Sequence, residues 1–476
     1  MKNIIKTTAV FLLAVGLFAC RKTEKLNVDY STFNPDDPRT NTPLDQWLKT
    51  NFLDEYNIDV IYRYNRYYHG NTANVVPSKL ENIQPTMQMV LDGFITPYRK
   101  IAGETFTKTY MPKEWVLFGS YAYANTSDPG VAGTAAAGRR ITLYGVNDYQ
   151  PLPAGQFYAW DRQRIMHHEF GHILNQIIPI PTDWEAISKG FYKQPYNDTP
   201  TDTARRNGFV TSYASGVSTE DYAETISWLL INGQVWYDDW ASFANTAGKA
   251  RFVQKENNVI NYYNNLGINF KKLQMEVQQY MIGIGLKESK FAYWLGKNRT
   301  PLVTPLPSPA PAPIPTFKSL MLNPSADYYV KYGGSTEFKQ LYDQVVANVF
   351  AIAPGGRKVN FIRFDFPSTT SVTMNINYTN SAGTVFDAKY AFNMAITLAT
   401  SQVKFTTGTP GGTDAPWVAN ANTLAAAVKP LSDYLVNNTF VANWLPVNVV
   451  PEDYMKLAGF SVLNAPTNYF YGPLAY

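Results

Sequence analysis

Two histidines four residues apart, His168-Glu169-Phe170-Gly171-His172, constrain this chain more than any other five residues. At that spacing both imidazoles project from one face of a helix, a turn apart, and can reach a single Zn²⁺. Glu169 stands beside them, where it can take a proton from a nearby water. A helix committed to this task needs a layer behind it and a third ligand from elsewhere in the chain. The motif therefore points to metal-assisted hydrolysis, with peptide bonds as the target.

The third ligand is not a histidine near in sequence. The chain has four histidines, at 69, 167, 168 and 172. A metzincin pattern would want another ten residues after His168, and that position is Ile178. His69 lies far upstream in a stretch that reads as a loop. His167 projects about 100° round the helix from His168 and reads as structural. A carboxylate is left, and Glu220-Asp221-Tyr222-Ala223-Glu224 offers two on one helical face. One can bind the metal while the other accepts a hydrogen bond from a ligand imidazole and fixes its tautomer. The same acids would also suit the first turn of any helix.

Around the motif, residues 58–64, 114–119 and 140–146 read as strands, the last as the edge against which an extended peptide aligns, and 87–96 as a short helix stopped by Pro97. The Gly- and Ala-rich stretch 130–138 reads as a mobile loop. The motif helix is expected over about 161–177, capped by Asp161 and ended by Pro179 and Pro181. Residues 221 to about 285 read as helical. Residues 300–316 then hold seven prolines, a stiff extended spacer. Beyond it the period becomes two: Val372, Met374, Ile376 and Tyr378 alternate with polar residues, as do Phe386, Ala388, Tyr390, Phe392, Met394 and Ile396. The two runs flank a Gly-containing turn and form a hairpin, and residues 424–437 are a candidate helix.

The chain opens with Lys2, Lys6 and a short apolar run ending Leu17-Phe18-Ala19-Cys20. That run is too short to span a bilayer and has the build of an export leader. A small residue before a lone cysteine resembles a bacterial lipobox, in which Cys20 becomes the lipidated first residue. Cys20 is also the only cysteine, so the exported part holds no disulfide. Without Lys2 and Lys6 the formal charge of +4 falls to about +2 (4 − 2), and with no basic run nucleic acid is excluded as a partner.

Taken together, His168–His172, then 208–214 (Gly-Phe-Val-Thr-Ser-Tyr-Ala), then Glu220–Glu224 resemble gluzincin metallopeptidases of the lethal-factor type. The resemblance is closer to the zinc-binding metallopeptidase lipoproteins of Bacteroidetes, also called substrate import-associated zinc metallohydrolases. Residues 44–63 and 138–144 look like that family too. The resemblance covers about 42–290, and 317–476 is similar to a β-rich domain of the same lipoproteins. It implies His168, His172 and Glu220 as zinc ligands, Glu169 as general base and Glu224 as the carboxylate behind a ligand histidine. Tyr213 falls where lethal-factor-like enzymes hold a tyrosine that bonds the oxyanion.

The expected fold is an α+β zincin-like metallopeptidase domain followed by a β-rich, β-sandwich-like C-terminal domain. The expected boundaries are a lipoprotein signal peptide (1–20), a flexible tether (21–42), the peptidase domain (43–299), the proline linker (300–316) and the accessory domain (317–476). The expected function is an exported, lipid-anchored zinc peptidase of the HExxH type. It would sit in the outer membrane, on the cell surface or periplasmic face, beside a TonB-dependent importer, with a peptide or protein as substrate. An aromatic content of 15% also suits a rival reading, a non-catalytic lipoprotein that captures glycans or peptides for an importer.

Overall fold

A computed structural model describes residues 42–125, 130–296, 319–410, 415–445 and 453–475. The leader with Cys20, nearly all of the expected tether and the proline spacer lie outside the described residues. Contacts divide the chain after Thr50. Of the first unit, residues 42–50 contain a short helix, α1 (Pro43–Leu48). Thr42 caps it: its Oγ1 accepts from Asp45 N at 3.2 Å, while its own N–H donates to Asp45 Oδ2 at 3.2 Å. Two of the first-turn donors are thereby satisfied.

The second unit begins with a four-stranded sheet in the order β1-β2-β4-β3. Strands β1 (Asp59–Ile61), β2 (Glu114–Leu117) and β4 (Arg140–Leu143) run parallel, and β3 (Gly133–Ala136) closes one edge antiparallel to β4. Two expectations change here. The stretch 130–138 is not simply a mobile loop, because four of its residues form the edge strand. The strand at 140–146 is not at the edge but inside the sheet. Gly-Thr-Ala-Ala carries little intrinsic strand signal, so pairing rather than propensity makes β3 a strand.

Helices α2 (Leu80–Val90) and α3 (Thr96–Tyr110) lie before β2, joined by a π-helical turn over Leu91–Ile95. Pro97 does not end a helix here. It occupies the first turn of α3, where its missing N–H leaves no gap. The motif helix α4 (Gln156–Ile177) starts five residues earlier than expected, and Asp161 lies within it instead of capping it. Phe170 is the helix's anchor to the layer behind: its ring centroid lies 5.2 Å from Phe94, which in turn lies 5.7 Å from Trp115 on β2. All three are fully buried.

A helical layer follows: α5 (Ser218–Ile231), α6 (Gly233–Ser242), α7 (Thr246–Asn265) and α8 (Phe270–Gly283). Gly171 sets how closely α4 and α5 approach. A β-carbon there would stand 3.3 Å from Ala223 Cα and 3.4 Å from Ala223 Cβ. Two small residues face one another, and the helix backbones come close enough for side chains on both to share one site.

The C-terminal half is β-rich, as expected, but its strands close into a barrel and are not two facing sheets. The cycle is β10 (Thr439–Trp444), β11 (Leu457–Val462), β12 (Ala465–Ala475), β5 (Ser319–Leu322), β6 (Lys358–Asp365), β7 (Ser371–Thr379), β8 (Val385–Thr397), β9 (Gln402–Thr407), returning to β10. Alternation along a strand reveals one buried face but not which strand it pairs with. Here β12 joins β11 to β5 and β9 joins β8 to β10, so no edge is left. Helices α9 (Thr336–Ala351) and α10 (Ala415–Asn437) pack into the same core through Phe338, Val345, Leu424 and Leu431. That core continues into Phe291 and Leu295 of the first half. Phe291 lies 5.2 Å from Trp444, whose Nε1 donates to Ser289 O at 2.8 Å.

Candidate active site

Three donor atoms meet between α4 and α5. His168 Nε2, His172 Nε2 and Glu220 Oε2 form a triangle with all three sides 3.2 Å. Donors bound to zinc at about 2.0–2.1 Å with tetrahedral angles stand about 3.3–3.4 Å apart, so the triangle fits such an ion. Two imidazoles and one carboxylate are also the donor types that zinc takes in hydrolytic sites. Among the described residues this is the group of histidine and acidic side chains placed to hold a metal. His69 is not part of it; its ring packs against Tyr64 and Phe118.

Glu224, one turn after Glu220, sits behind the triangle. Its Oε1 lies 2.9 Å from His168 Nδ1 and 3.2 Å from Arg164 Nη1. Its Oε2 accepts from Thr211 Oγ1 at 2.8 Å and from Trp228 Nε1 at 3.0 Å. With Nδ1 facing a carboxylate, His168 keeps its proton on that side and turns Nε2 to the triangle. Glu220 thus turns an oxygen to the two Nε2 atoms, and Glu224 faces His168 from the other side of the ring. Arg164, Thr211 and Trp228 were not foreseen. Arg164 and Trp228 each stand one turn from a site residue, but arginine or tryptophan at that spacing is common in any helix.

The electrostatics follow from this crowding. Burial disfavours a charged His168, but Glu220, Glu224 and Glu169 around it prevail and push its pKa up to about 10. Burial likewise works against charge on Glu224, yet His168, Arg164 and Thr211 bring it down to about 2. Glu220 is also held well below the usual carboxylate range, by the two imidazoles against the effect of burial. The site is thus an anionic nest that concentrates positive charge.

Glu169 is buried beside the triangle, and burial raises its pKa although His168 and His172 oppose the rise. Its neighbour across the cleft is the edge strand: a β-carbon on Gly133 would lie 3.2 Å from Glu169 Oε1 and 2.5 Å from Ile165 Cγ2. Glycine at 133 is what lets β3 come this near. Tyr213 begins a 3₁₀ turn, Tyr213–Ser215, and its ring stacks obliquely 6.0 Å from His168 and edge-on 4.9 Å from Tyr196. Burial, then Glu220 and the other carboxylates, raise its pKa and keep the phenol protonated. His167 points the other way, fully buried against Phe94 and Tyr98, and burial brings its pKa down to about 3. It is a neutral core residue.

These parts line one cleft of about 670 Å³, bounded by β3 through Gly133, Thr134 and Ala135 and floored by His168, Glu169, His172 and Glu220. Tyr213 is at its wall. A second buried pair supports the helix that carries Glu220: Asp221 accepts from Lys255 Nζ and from Tyr192 Oη, each at 2.8 Å, and Lys255 also reaches Gly208 O at 2.8 Å. That network was not foreseen either, since a lone lysine 34 residues downstream gives no signal.

Residues 37–271 match a family model described as "Putative zinc-binding metallo-peptidase". Among solved structures, the chain is similar to one described as a putative zinc-binding metallo-peptidase from Bacteroides caccae ATCC 43185. The two are 26% identical, the likeness covers 53% of this chain and 95% of that one, and the TM-score is 0.43. No curated protein matches. The stretch that carries His168, His172 and Glu220 thus falls within a match to a family described as zinc-binding.

Proposed function

We propose that this chain is a zinc-dependent peptidase, with His168, His172 and Glu220 holding the ion. The observation that carries the reading is the 3.2 Å donor triangle with Glu169 buried beside it in an open cleft. Zinc held there would supply Lewis acidity, polarising a carbonyl oxygen and making a water more acidic. Glu169 accepts the proton of the attacking water and delivers it to the leaving amine. Its raised pKa favours the uptake, since the anion of a weaker acid is a better base. Tyr213, protonated, donates to the oxygen that gains charge as the carbonyl is attacked. Glu224 keeps His168 in the tautomer that faces the ion.

Peptide is favoured over other substrates by the edge strand. Tyr144 N donates to Ala132 O at 3.0 Å, and pairing alternates along an antiparallel ladder. Thr134 and Ala136 therefore bond to β4, while Gly133 and Ala135 turn their N–H and C=O groups to the free edge. An extended peptide can pair with those groups as an added strand. The leader and Cys20 support export and lipid anchoring at the outer membrane, with a TonB-dependent importer as the proposed neighbour.

The purified protein should hold one zinc per chain and cleave members of a broad peptide library. Glu169→Gln should keep the metal and lose at least about 100-fold in rate, the lower end of general acid–base contributions. Equal cleavage by that variant, or a chain that takes up no zinc, would overturn the reading.

A further inference from the structure

We propose that Asn175 is a substrate-binding residue of this cleft, its side-chain amide pairing with an amide group of the bound peptide. The proposal rests on the peptidase reading and adds the group that reads the substrate. Asn175 follows His168 by seven residues and His172 by three. Helical geometry sets it about 20° round the axis from His168 and about 4.5 Å further along than His172. It therefore extends the stripe that bears the two imidazoles, and it lines the same cleft.

Its amide is uncommitted. Both Oδ1 and Nδ2 are buried, and neither has a hydrogen-bond partner. Buried polar side-chain atoms nearly always have one, because an unmade bond forfeits hydration with nothing in return. The residue beside it is, by contrast, engaged: Gln176 Oε1 accepts from Gly138 N at 2.5 Å and ties the end of α4 to the turn between β3 and β4. The wall is fixed, and the amide on it, unpartnered and closed to solvent as it stands, meets a substrate by a turn of its own side chain towards the cleft.

An amide offers acceptor and donors together and carries no charge, so its natural complement is another amide. A peptide supplies one from its main chain or from an Asn or Gln side chain. At about 3.3–3.4 Å per residue of extended chain, the 4.5 Å offset places Asn175 one or two residues from the bond being cut.

The test compares zinc-loaded full-length protein with Asn175→Leu and Asn175→Asp on one peptide library, with Glu169→Gln as the cleavage-dead reference. Asn175→Leu should retain stoichiometric zinc and melt no lower than the parent, since it removes an unpartnered amide. Its kcat/KM should nevertheless fall by about 10–100-fold, chiefly through KM. Asn175→Asp, which keeps the acceptor and loses the donors, should fall between. Exchanging Asn or Gln in the peptide for Met, or one backbone amide for an ester, separates the two sources: the change that slows the parent but not Asn175→Leu marks the group that is read. If Asn175→Leu cleaves every peptide as the parent does, the proposal fails while Glu169-dependent cleavage stands. If the parent itself cleaves nothing, the peptidase reading fails and the role of Asn175 with it.

Discussion

At the scale of single residues, Glu224 shows how much of a candidate metal site lies behind the three donors. Its two oxygens meet His168, Arg164, Thr211 and Trp228, and none of these needs to touch an ion. Glu224→Ala would leave His168 free to turn and Arg164 without its partner. Zinc affinity should fall about 10–100-fold, read by competition with a coloured chelator, with His168, His172 and Glu220 still present. Unchanged affinity would show that the ring is held by packing alone. Asp238 provides a separate check on burial. Desolvation, and Glu256 nearby, raise its pKa to about 6 although Gln234 donates to it at 2.7 Å. An acid with a folded pKa above its unfolded 3.8 incurs no penalty below that value and the full penalty above about 6. Asp238→Asn, which keeps the acceptor for Gln234, should therefore stabilise the protein at pH 7 and not at pH 3.5. For a half-buried group the gain is about 1 kcal/mol after allowance for screening. Denaturant titrations at the two pH values decide it, and an equal gain at both would refute the assignment.

At the scale of elements, the site depends on how two helices meet. Gly171 and Ala223 bring α4 and α5 together, and the side chains one position on and three back, His172 and Glu220, reach each other as a result. Gly171→Ala gains about 1 kcal/mol of helix propensity and sets it against overpacking of about 1–3 kcal/mol. Net stability should change little, but α5 must move by some tenths of an ångström and Glu220 with it. About tenfold weaker zinc binding at nearly unchanged melting temperature is the expected result; a variant that binds zinc as before would mean the helices tolerate the methyl without shifting. The same elements explain what could be read in advance. His168, Glu169 and His172 were legible because one helix fixes their spacing, and Glu220 with Glu224 because four residues on a second helix do the same. The edge strand was not, since Gly133 to Ala136 become a strand only by pairing with β4. Arg164, Thr211 and Lys255 were hidden for a like reason: their roles exist only once distant segments have packed.

At the scale of the whole molecule, residues 51–476 form one compact unit although the chain reads as two halves on either side of a proline-rich stretch. The reason is chemical. Phe291, 1% exposed, packs its ring against Trp444 and Phe460 of the barrel, and Lys290 Nζ reaches the carbonyls of Leu398 and Ala399 at 3.2 and 3.0 Å. Strand alternation could not foretell this, because a barrel closed on itself needs no partner for its edges and any joint must be made by side chains. Residues shared between cores transmit stability. Phe291→Ala should cost about 3–5 kcal/mol, the range for deleting a buried phenylalanine, and the loss should be felt on both sides of the joint. The barrel's near-ultraviolet circular dichroism and zinc release from the site between α4 and α5 should then shift to lower denaturant together, by the same amount. If the barrel signal moves while zinc is released where it was before, the halves unfold independently, and the joint is only a contact between separately stable bodies.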